Sequence, residues 1–186
     1  MTDLDLSISN WFHAHSDPVL TQCMLLVSLW HGTAGVLLMT AGVGLALWRR
    51  HKHWWLLALL LSVPGGMLLN VAVKNAVQRA RPHFDDALFT LPTYSFPSGH
   101  TAETTLFYGF LTALVFAHPA ARRWRWPMAA AWVAIVALVG LSRIYLGLHY
   151  FTDVVGAVIE ASLWLALCLT GVQALWRRRG SEAAHG

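Results

Sequence analysis

Between Ser142 and Asp153 the chain reads Ser-Arg-Ile-Tyr-Leu-Gly-Leu-His-Tyr-Phe-Thr-Asp. A guanidinium, an imidazole and a carboxylate therefore sit together in otherwise apolar surroundings. Arg143 is permanently charged and presents a planar fork suited to oxyanions. His149 and Asp153 are four apart, so on a helix they would share a face. The carboxylate can accept a proton from one ring nitrogen and leave the other free as nucleophile or base. A lone His in such a place is more often a satisfied structural group. Three polar groups at one edge, with further sets upstream, point away from that reading.

The first upstream set is Lys74-Asn75-Ala76-Val77-Gln78-Arg79-Ala80-Arg81-Pro82. Lys74 and Arg81 are seven apart, about two helical turns, so they are expected to share a helix face. Pro82 is expected to help stop that helix after Arg81. The plain alternative is two cations snorkelling to lipid headgroups. The second set is Pro97-Ser98-Gly99-His100. Ser98 has the character of an N-cap, and Gly99 lets a ligand approach the backbone closely. A helix N-terminus there would offer free N–H groups and a positive dipole end to a phosphate. His100 sits one step further in, placed to give a proton to a leaving oxygen. Together the three sets supply three cations, a hydroxyl, a helix terminus, two histidines and a carboxylate. That is an anion site with a nucleophile and an acid. No carboxylate cluster suggests a two-metal site and no His spacing fits zinc, so no metal and no cofactor is expected. The cations would neutralise phosphate charge instead.

The elements that must carry these residues are membrane helices. Of the 186 residues 56% are hydrophobic, 12% are charged and ten are Trp. The mean hydropathy is +0.51. Soluble domains average about 25% charged residues. The net charge of +4 comes in short clusters between apolar runs, which fits membrane topology and not nucleic acid. The amino-terminal residues do not have the pattern of a cleavable signal peptide. Residues 3–15 read as an amphipathic lead-in, with Trp11 suited to the headgroup level. Apolar runs follow at 17–31, 33–48, 54–78, 99–117, 127–142 and 150–176. The first is short for a span. Pro64-Gly65-Gly66 in the third predicts a kink or close helix packing. Cys23 and Cys168 lie in apolar runs and are expected to be buried, unpaired small hydrophobes. The expected fold is all-α: one membrane domain over 1–186, a bundle of six transmembrane helices with a cytoplasmic tail at 177–186.

Orientation follows from the basic clusters at 49–53, 122–125 and 177–179, all expected in the cytoplasm. The connection at 79–98 and the turn at 143–149 then fall on the outer face together. Six spans would put the amino terminus inside. Five would put it outside, with the first run only dipping into the membrane.

The three motifs in this order, Lys-x6-Arg-Pro, Pro-Ser-Gly-His and Ser-Arg-x5-His-x3-Asp, resemble the signature of the type 2 phosphatidic acid phosphatases, the lipid phosphate phosphatases. Every position is filled, and the resemblance covers roughly residues 54–176. That family also includes soluble vanadium haloperoxidases; the six apolar runs place this chain with the membrane branch. The resemblance implies a multi-pass phosphatase of a bacterial inner membrane, with its site on the extracytoplasmic face. It implies that His149 attacks phosphorus and forms a phosphohistidine, that Asp153 holds its ring, and that His100 protonates the departing oxygen. It further implies that Lys74, Arg81, Ser98, Gly99 and Arg143 bind phosphate oxygens, and that water cleaves the phosphoenzyme without a metal. Ser142 belongs to the motif but is the weaker candidate for a phosphate contact.

The implied partners are membrane lipids and a lipid phosphate or diphosphate. Phosphatidic acid, phosphatidylglycerol phosphate and undecaprenyl diphosphate all suit a small headgroup site at the interface. The small size resembles the bacterial undecaprenyl diphosphate phosphatases of the family. Glu103, one turn below His100, reads either as a partner supporting the site or a selector for diphosphate, or as a paired carboxyl facing the bundle. Glu160, deep in the last run, and Asn70 read as groups that pair with polar atoms on other helices. Two rivals stand beside the phosphatase reading. One is a phosphotransferase that passes the same phosphoryl group to a lipid. The other is a small transporter, which would leave the polar clustering unexplained.

Overall fold

The computed structural model describes residues 2–84 and 92–182. The expected connection at 79–98 falls partly outside them, between 85 and 91, where Asp85 and Asp86 lie. The amphipathic lead-in and each of the six expected apolar runs form a helix. In order these are α1 (Asp3–Ala14), α2 (Pro18–Trp30), α3 (Thr33–Arg49), α4 (His53–Val77), α5 (Gly99–Ala117), α6 (Arg125–Tyr145) and α7 (Phe151–Glu182), with a 3₁₀ turn at Pro119–Trp124 before α6.

α5 is the axis. It packs on α4, α6 and α7, and α3 closes its remaining side. Its own sequence explains why it sits there. Thr101, Thr104, Thr105, Thr112 and Glu103 are too polar for a lipid-facing helix, and all are buried. The threonines spend their hydroxyls on carbonyls a turn back: Thr104 on His100, Thr105 on Thr101 and Thr112 on Tyr108. Leu106 and Phe110 fill the other faces and meet Val36, Leu59, Val63, Ala157 and Ala161 in the core. The outer helices carry their apolar residues outward, with Leu38, Leu68 and Leu163 largely exposed, as lipid requires and water would not favour.

Close packing is found at Pro64-Gly65-Gly66. The helix continues through Pro64. A Cβ on Gly66 would stand 2.4 Å from Leu106 Cδ1 and 2.9 Å from Trp164 Cδ1, so any side chain here would force α5 and α7 side chains to shift.

The count of six crossings is not reproduced. α4, the segment ending in α6, and α7 are each long and apolar enough to span a membrane, and α2 with α3 qualifies only as a pair bent by 45°. The joint is the expected turn at His31-Gly32, but it bends one path and does not reverse it. A helix of 13 residues is too short to cross alone, at about 1.5 Å per residue. α1 lies at the same end as the polar motifs, since Asp5 bonds Arg79 and Thr152. Phe12 also meets the Tyr145 ring edge-on. Six crossings would have put α1 at the far end. Cys23 is exposed, which corrects the expectation that it is buried; Cys168 is buried as expected.

The basic clusters gather at the end opposite the motifs. Arg179 lies over the Trp54 ring, joining the start of α4 to the end of α7. A cleft of about 790 Å³ there is lined by His51 to Trp55, Phe116 and Trp176, among others.

Candidate active site

At the opposite end, the C-termini of α4 and α6 meet the N-termini of α5 and α7. α6 stops in a glycine cap. Gly147 takes φ +67. Its N–H bonds the Ile144 carbonyl, and the Leu148 N–H reaches back to Arg143. This is the pattern of a Schellman C-cap. The His149 N–H bonds the same Arg143 carbonyl at 3.2 Å, so the cap itself fixes where His149 stands.

α7 begins at Phe151, two residues after His149. The pairing of His149 with Asp153 is therefore not that of two residues on one helix face, as the spacing predicts. It comes from a turn running into a helix start. Asp153 accepts the Tyr150 N–H at 2.8 Å, which caps α7. The same Oδ2 accepts Ser95 Oγ at 2.5 Å and lies 3.4 Å from His149 Nδ1. Oδ1 accepts Arg79 Nη1 at 2.6 Å. Asp153 is fully buried, and both of its oxygens are engaged.

The other ring nitrogen, His149 Nε2, lies 3.2 Å from Arg81 Nη1. A guanidinium has only donors, so Nε2 accepts. The proton then resides on Nδ1, toward Asp153. Burial pushes His149 down from its ordinary value to about 4, against the opposing pull of Asp153, with Arg81 and Arg143 lowering it further. Held low in this way the ring favours its neutral form, with the Nε2 lone pair turned toward Arg81.

Arg81 does not share a helix face with Lys74. α4 ends at Val77, and Gln78 turns into the left-handed region at φ 52. The chain then leaves the helix four residues before the expected stop at Pro82. Arg81 is instead clamped between two loops, donating to the carbonyls of Thr93 (2.7 Å) and Leu148 (2.6 Å). Lys74 points at the same segment and donates to the carbonyls of Tyr94 (2.9 Å) and Pro97 (2.7 Å). The two cations thus hold the loop that leads into α5.

Ser98 occupies the N-cap position of α5, but its hydroxyl meets Thr101 Oγ1 at 2.9 Å and caps no backbone N–H. The first-turn N–H groups of α5 have no side-chain cap. The Ser98 N–H bonds the Asp153 carbonyl at 3.1 Å, tying the start of α5 to the start of α7. Gly99 faces Asn70 and Glu103, where a Cβ would lie 3.7 Å and 3.9 Å from their oxygens. His100, in the first turn of α5, backs onto the bend between α2 and α3. A Cβ on Gly32 would stand 3.3 Å from its Nε2.

Arg143 is buried at 4% exposure. Its Nη1 donates to Ser28 on α2, and its Nε–H has no partner among the described residues. Ser142 is turned away: its hydroxyl bonds the Val139 carbonyl at 2.7 Å. Glu103 accepts Thr33 Oγ1 at 2.8 Å through one oxygen, and its other oxygen is buried without a partner among the described residues. Asn70 donates to Glu160 at 3.0 Å, the cross-helix pairing expected of both.

Four residues at this site carry no signal in the reading above. Arg79 bridges Asp153 and Asp5, Ser95 bonds Asp153, and Thr152 bonds both Arg79 and Asp5. Among the described residues, no three His, Cys, Asp or Glu side chains gather as a metal site would need.

The chain is similar to known proteins. A model of the PAP2 superfamily matches residues 54–177. The chain is 33% identical over 121 residues to phosphatidylglycerophosphatase B of Bacillus subtilis, covering 64% of this chain and 58% of that protein. It is 32% identical over 124 residues to the lipid A 1-phosphatase of Rhizobium etli, covering 61% and 48%. The chain thus spans about half the length of these relatives. The crystal structure of a transmembrane PAP2-type phosphatidylglycerolphosphate phosphatase from Bacillus subtilis superposes with a TM-score of 0.79 at 29% identity, over 94% of this chain and 85% of that one. The matched range holds all three polar motifs and the four helix ends that bring them together, and the chain belongs to the PAP2 superfamily as an all-α integral membrane protein.

Proposed function

We propose that the chain is a metal-independent lipid phosphatase that works through a phosphohistidine at His149. The observation that carries this is the state of one ring. Nδ1 faces a buried carboxylate, Nε2 faces a cation that can only donate, and burial keeps the ring neutral. That is a nucleophile held ready.

In the proposed reaction Nε2 attacks phosphorus, and the P–O bond to the lipid breaks as the N–P bond forms. His100 gives its proton to the leaving oxygen. Water then attacks phosphorus, His100 recovers a proton from it, and the N–P bond breaks to release phosphate. Arg81, Arg143, Lys74 and the uncapped start of α5 receive the phosphoryl oxygens. The orphaned Nε–H of Arg143 supports this, because a buried donor without a partner is rare and an oxyanion would satisfy it. Gly99 lends a backbone N–H and Ser98 its hydroxyl, since the Ser98 N–H is spent on the Asp153 carbonyl. Ser142 and Glu103 support the frame: one braces α6, and the other ties α5 to the bend at Thr33.

The substrate is a lipid phosphate or diphosphate with a small headgroup. Phosphatidylglycerol phosphate leads the choice, given the names of two of the relatives, with phosphatidic acid and undecaprenyl diphosphate beside it. The protein sits in a bacterial inner membrane with the basic end in the cytoplasm and the site on the outer face. We read five crossings, with α2 and α3 forming one bent crossing and α5 shielded from lipid by its neighbours.

The test is a panel of these lipids with purified protein in detergent, scored for free phosphate. An acid-labile phosphoenzyme should be trapped in the wild type and absent in His149→Ala. Label that passes to a lipid acceptor instead of water would make the chain a phosphotransferase. Full activity in His149→Ala would overturn the mechanism.

A further inference from the structure

α1 is a short amphipathic helix, yet what it buries is not apolar. Its two buried residues are Asp5 and Ser9, while Leu4, Leu6 and Trp11 are exposed. Asp5 is at 0% exposure. Its carboxylate accepts Arg79 Nη2 at 2.7 Å, the Thr152 N–H at 3.0 Å and Thr152 Oγ1 at 2.8 Å. Burial pushes this carboxyl up, but the bonds from Thr152 and Arg79 outweigh it and hold the group well below the ordinary carboxylate range. A helix that needed only to rest on a membrane surface would not bury a charge.

The partner of that charge explains the arrangement. Arg79 gives Nη2 to Asp5 and Nη1 to Asp153, at 2.7 and 2.6 Å. It also lies 4.5 Å over the Tyr150 ring. Guanidinium and carboxylate favour a two-pronged pairing when nothing competes. Here Asp5 takes one prong. Asp153 then meets Arg79 through Oδ1 alone, and Oδ2 stays with Ser95, the Tyr150 N–H and His149.

We propose that Asp5 is a positioning residue for catalysis: by holding one arm of Arg79 it keeps Asp153 from being embraced at both oxygens, and so keeps Oδ2 for His149. This rests on the reading of His149 as the attacking group. Without Asp5, Arg79 swings toward Oδ2, the hold on Nδ1 weakens, and turnover slows while substrate binding is untouched.

The experiment uses the full chain in detergent with short-chain phosphatidic acid as probe. Asp5→Asn keeps the shape and removes the charge. Its kcat should fall roughly tenfold with KM within twofold. Arg79→Lys cannot reach both carboxylates, so the hold on Asp153 Oδ1 is weakened and Asp153 is less firmly placed; kcat should fall here too with KM within twofold. Because Asp5 acts through Arg79, adding Asp5→Asn to Arg79→Lys should cost less than a further twofold. Phe12→Ala loosens the seat of α1 without touching the charges and should keep at least half of the wild-type kcat. A wild-type kcat in Asp5→Asn, losses that multiply in the double variant, or an equal loss in Phe12→Ala would each overturn the proposal. Should Asp5→Asn not fold, Arg79→Lys decides alone, and a wild-type kcat there overturns it. The underlying reading fails separately, if His149→Ala stays active.

Discussion

Arg81 Nη1 lies 3.2 Å from His149 Nε2, so the cation proposed to bind phosphate also selects the tautomer of the proposed nucleophile. On phosphate arrival the same N–H can turn from the ring to an oxygen. The second hydrogen of Nη1 stays on the Leu148 carbonyl and Nε stays on Thr93. Arg81→Lys keeps the charge but loses the fork. It should lower kcat by about 10²-fold, the usual cost of one donor to a developing oxyanion. Steady-state rates on a lipid phosphate check this, with KM expected to change far less.

The pH profile follows from His149. Burial first, then the two arginines, hold it near 4, while Asp153 pulls it back up. Attack needs the neutral ring, so kcat/KM should stay on a plateau through pH 6 and fall only as pH drops toward about 4. An ordinary exposed His would lose activity already near 6.5. Asp153→Asn removes the raising influence, so the acid limb should move to lower pH while kcat drops roughly 10²–10⁴-fold. An acid limb at 6.5 in the wild type would contradict this account of the ring.

Much of this site was legible in the chain, because motif residues keep their chemistry wherever the backbone goes. His149, Asp153, Arg81, Lys74 and Arg143 do gather at one end. What was not legible is how they get there. The face shared by Lys74 and Arg81 assumes a helix that Gln78 ends at φ 52. Nothing in residue type marks a non-glycine left-handed turn in advance. Asp5 lies 148 positions before Asp153, and only the Thr2–Asp5 capping box has a local signal. The bend at Gly32 looks in sequence like any turn between antiparallel spans. Whether it reverses the chain depends on what α5 needs beside it, and α5 needs cover for Glu103, which Thr33 supplies.

Gly147 is the hinge on which the histidine's place depends. Its φ of +67 is costly for any residue with a Cβ, and that Cβ would lie 3.3 Å from Phe84. Gly147→Ala should destabilise the protein by about 1–2 kcal/mol. It should also lower kcat, because the cap that orients His149 shifts. Thermal unfolding in detergent and the rate together test this. A lower Tm with an unchanged rate would separate the cap from the chemistry.

Metal removal should do nothing. The proposed site neutralises phosphate with Lys74, Arg81 and Arg143. Activity is expected to survive EDTA, and added magnesium or zinc should not raise it. Vanadate, which can take five ligands, should inhibit by occupying the place of the phosphoryl group in transfer. A rate that collapses in EDTA and returns with a single divalent ion would count against the reading of these three cations.

The last prediction concerns the amino-terminal helix, because it separates five crossings from six. Asp5 binds Arg79 at the motif end, so α1 must lie on whichever side of the membrane the site faces. The clusters at 49–53, 122–125 and 177–179 argue that this side is the outside. With six crossings α1 would be in the cytoplasm, and its bonds to Arg79 and Thr152 could not form. Ser7 and Arg123 are both exposed and lie at opposite ends. Cys23 is exposed too, so it and Cys168 are replaced first. Ser7→Cys should then react with an impermeant thiol reagent added to intact cells, and Arg123→Cys should react only once the membrane is opened. Labelling of 123 but not 7 would invert the protein and turn the site to the cytoplasmic leaflet. Labelling of neither in intact cells would place α1 apart from the outer face and break the link between Asp5 and an outward-facing Asp153.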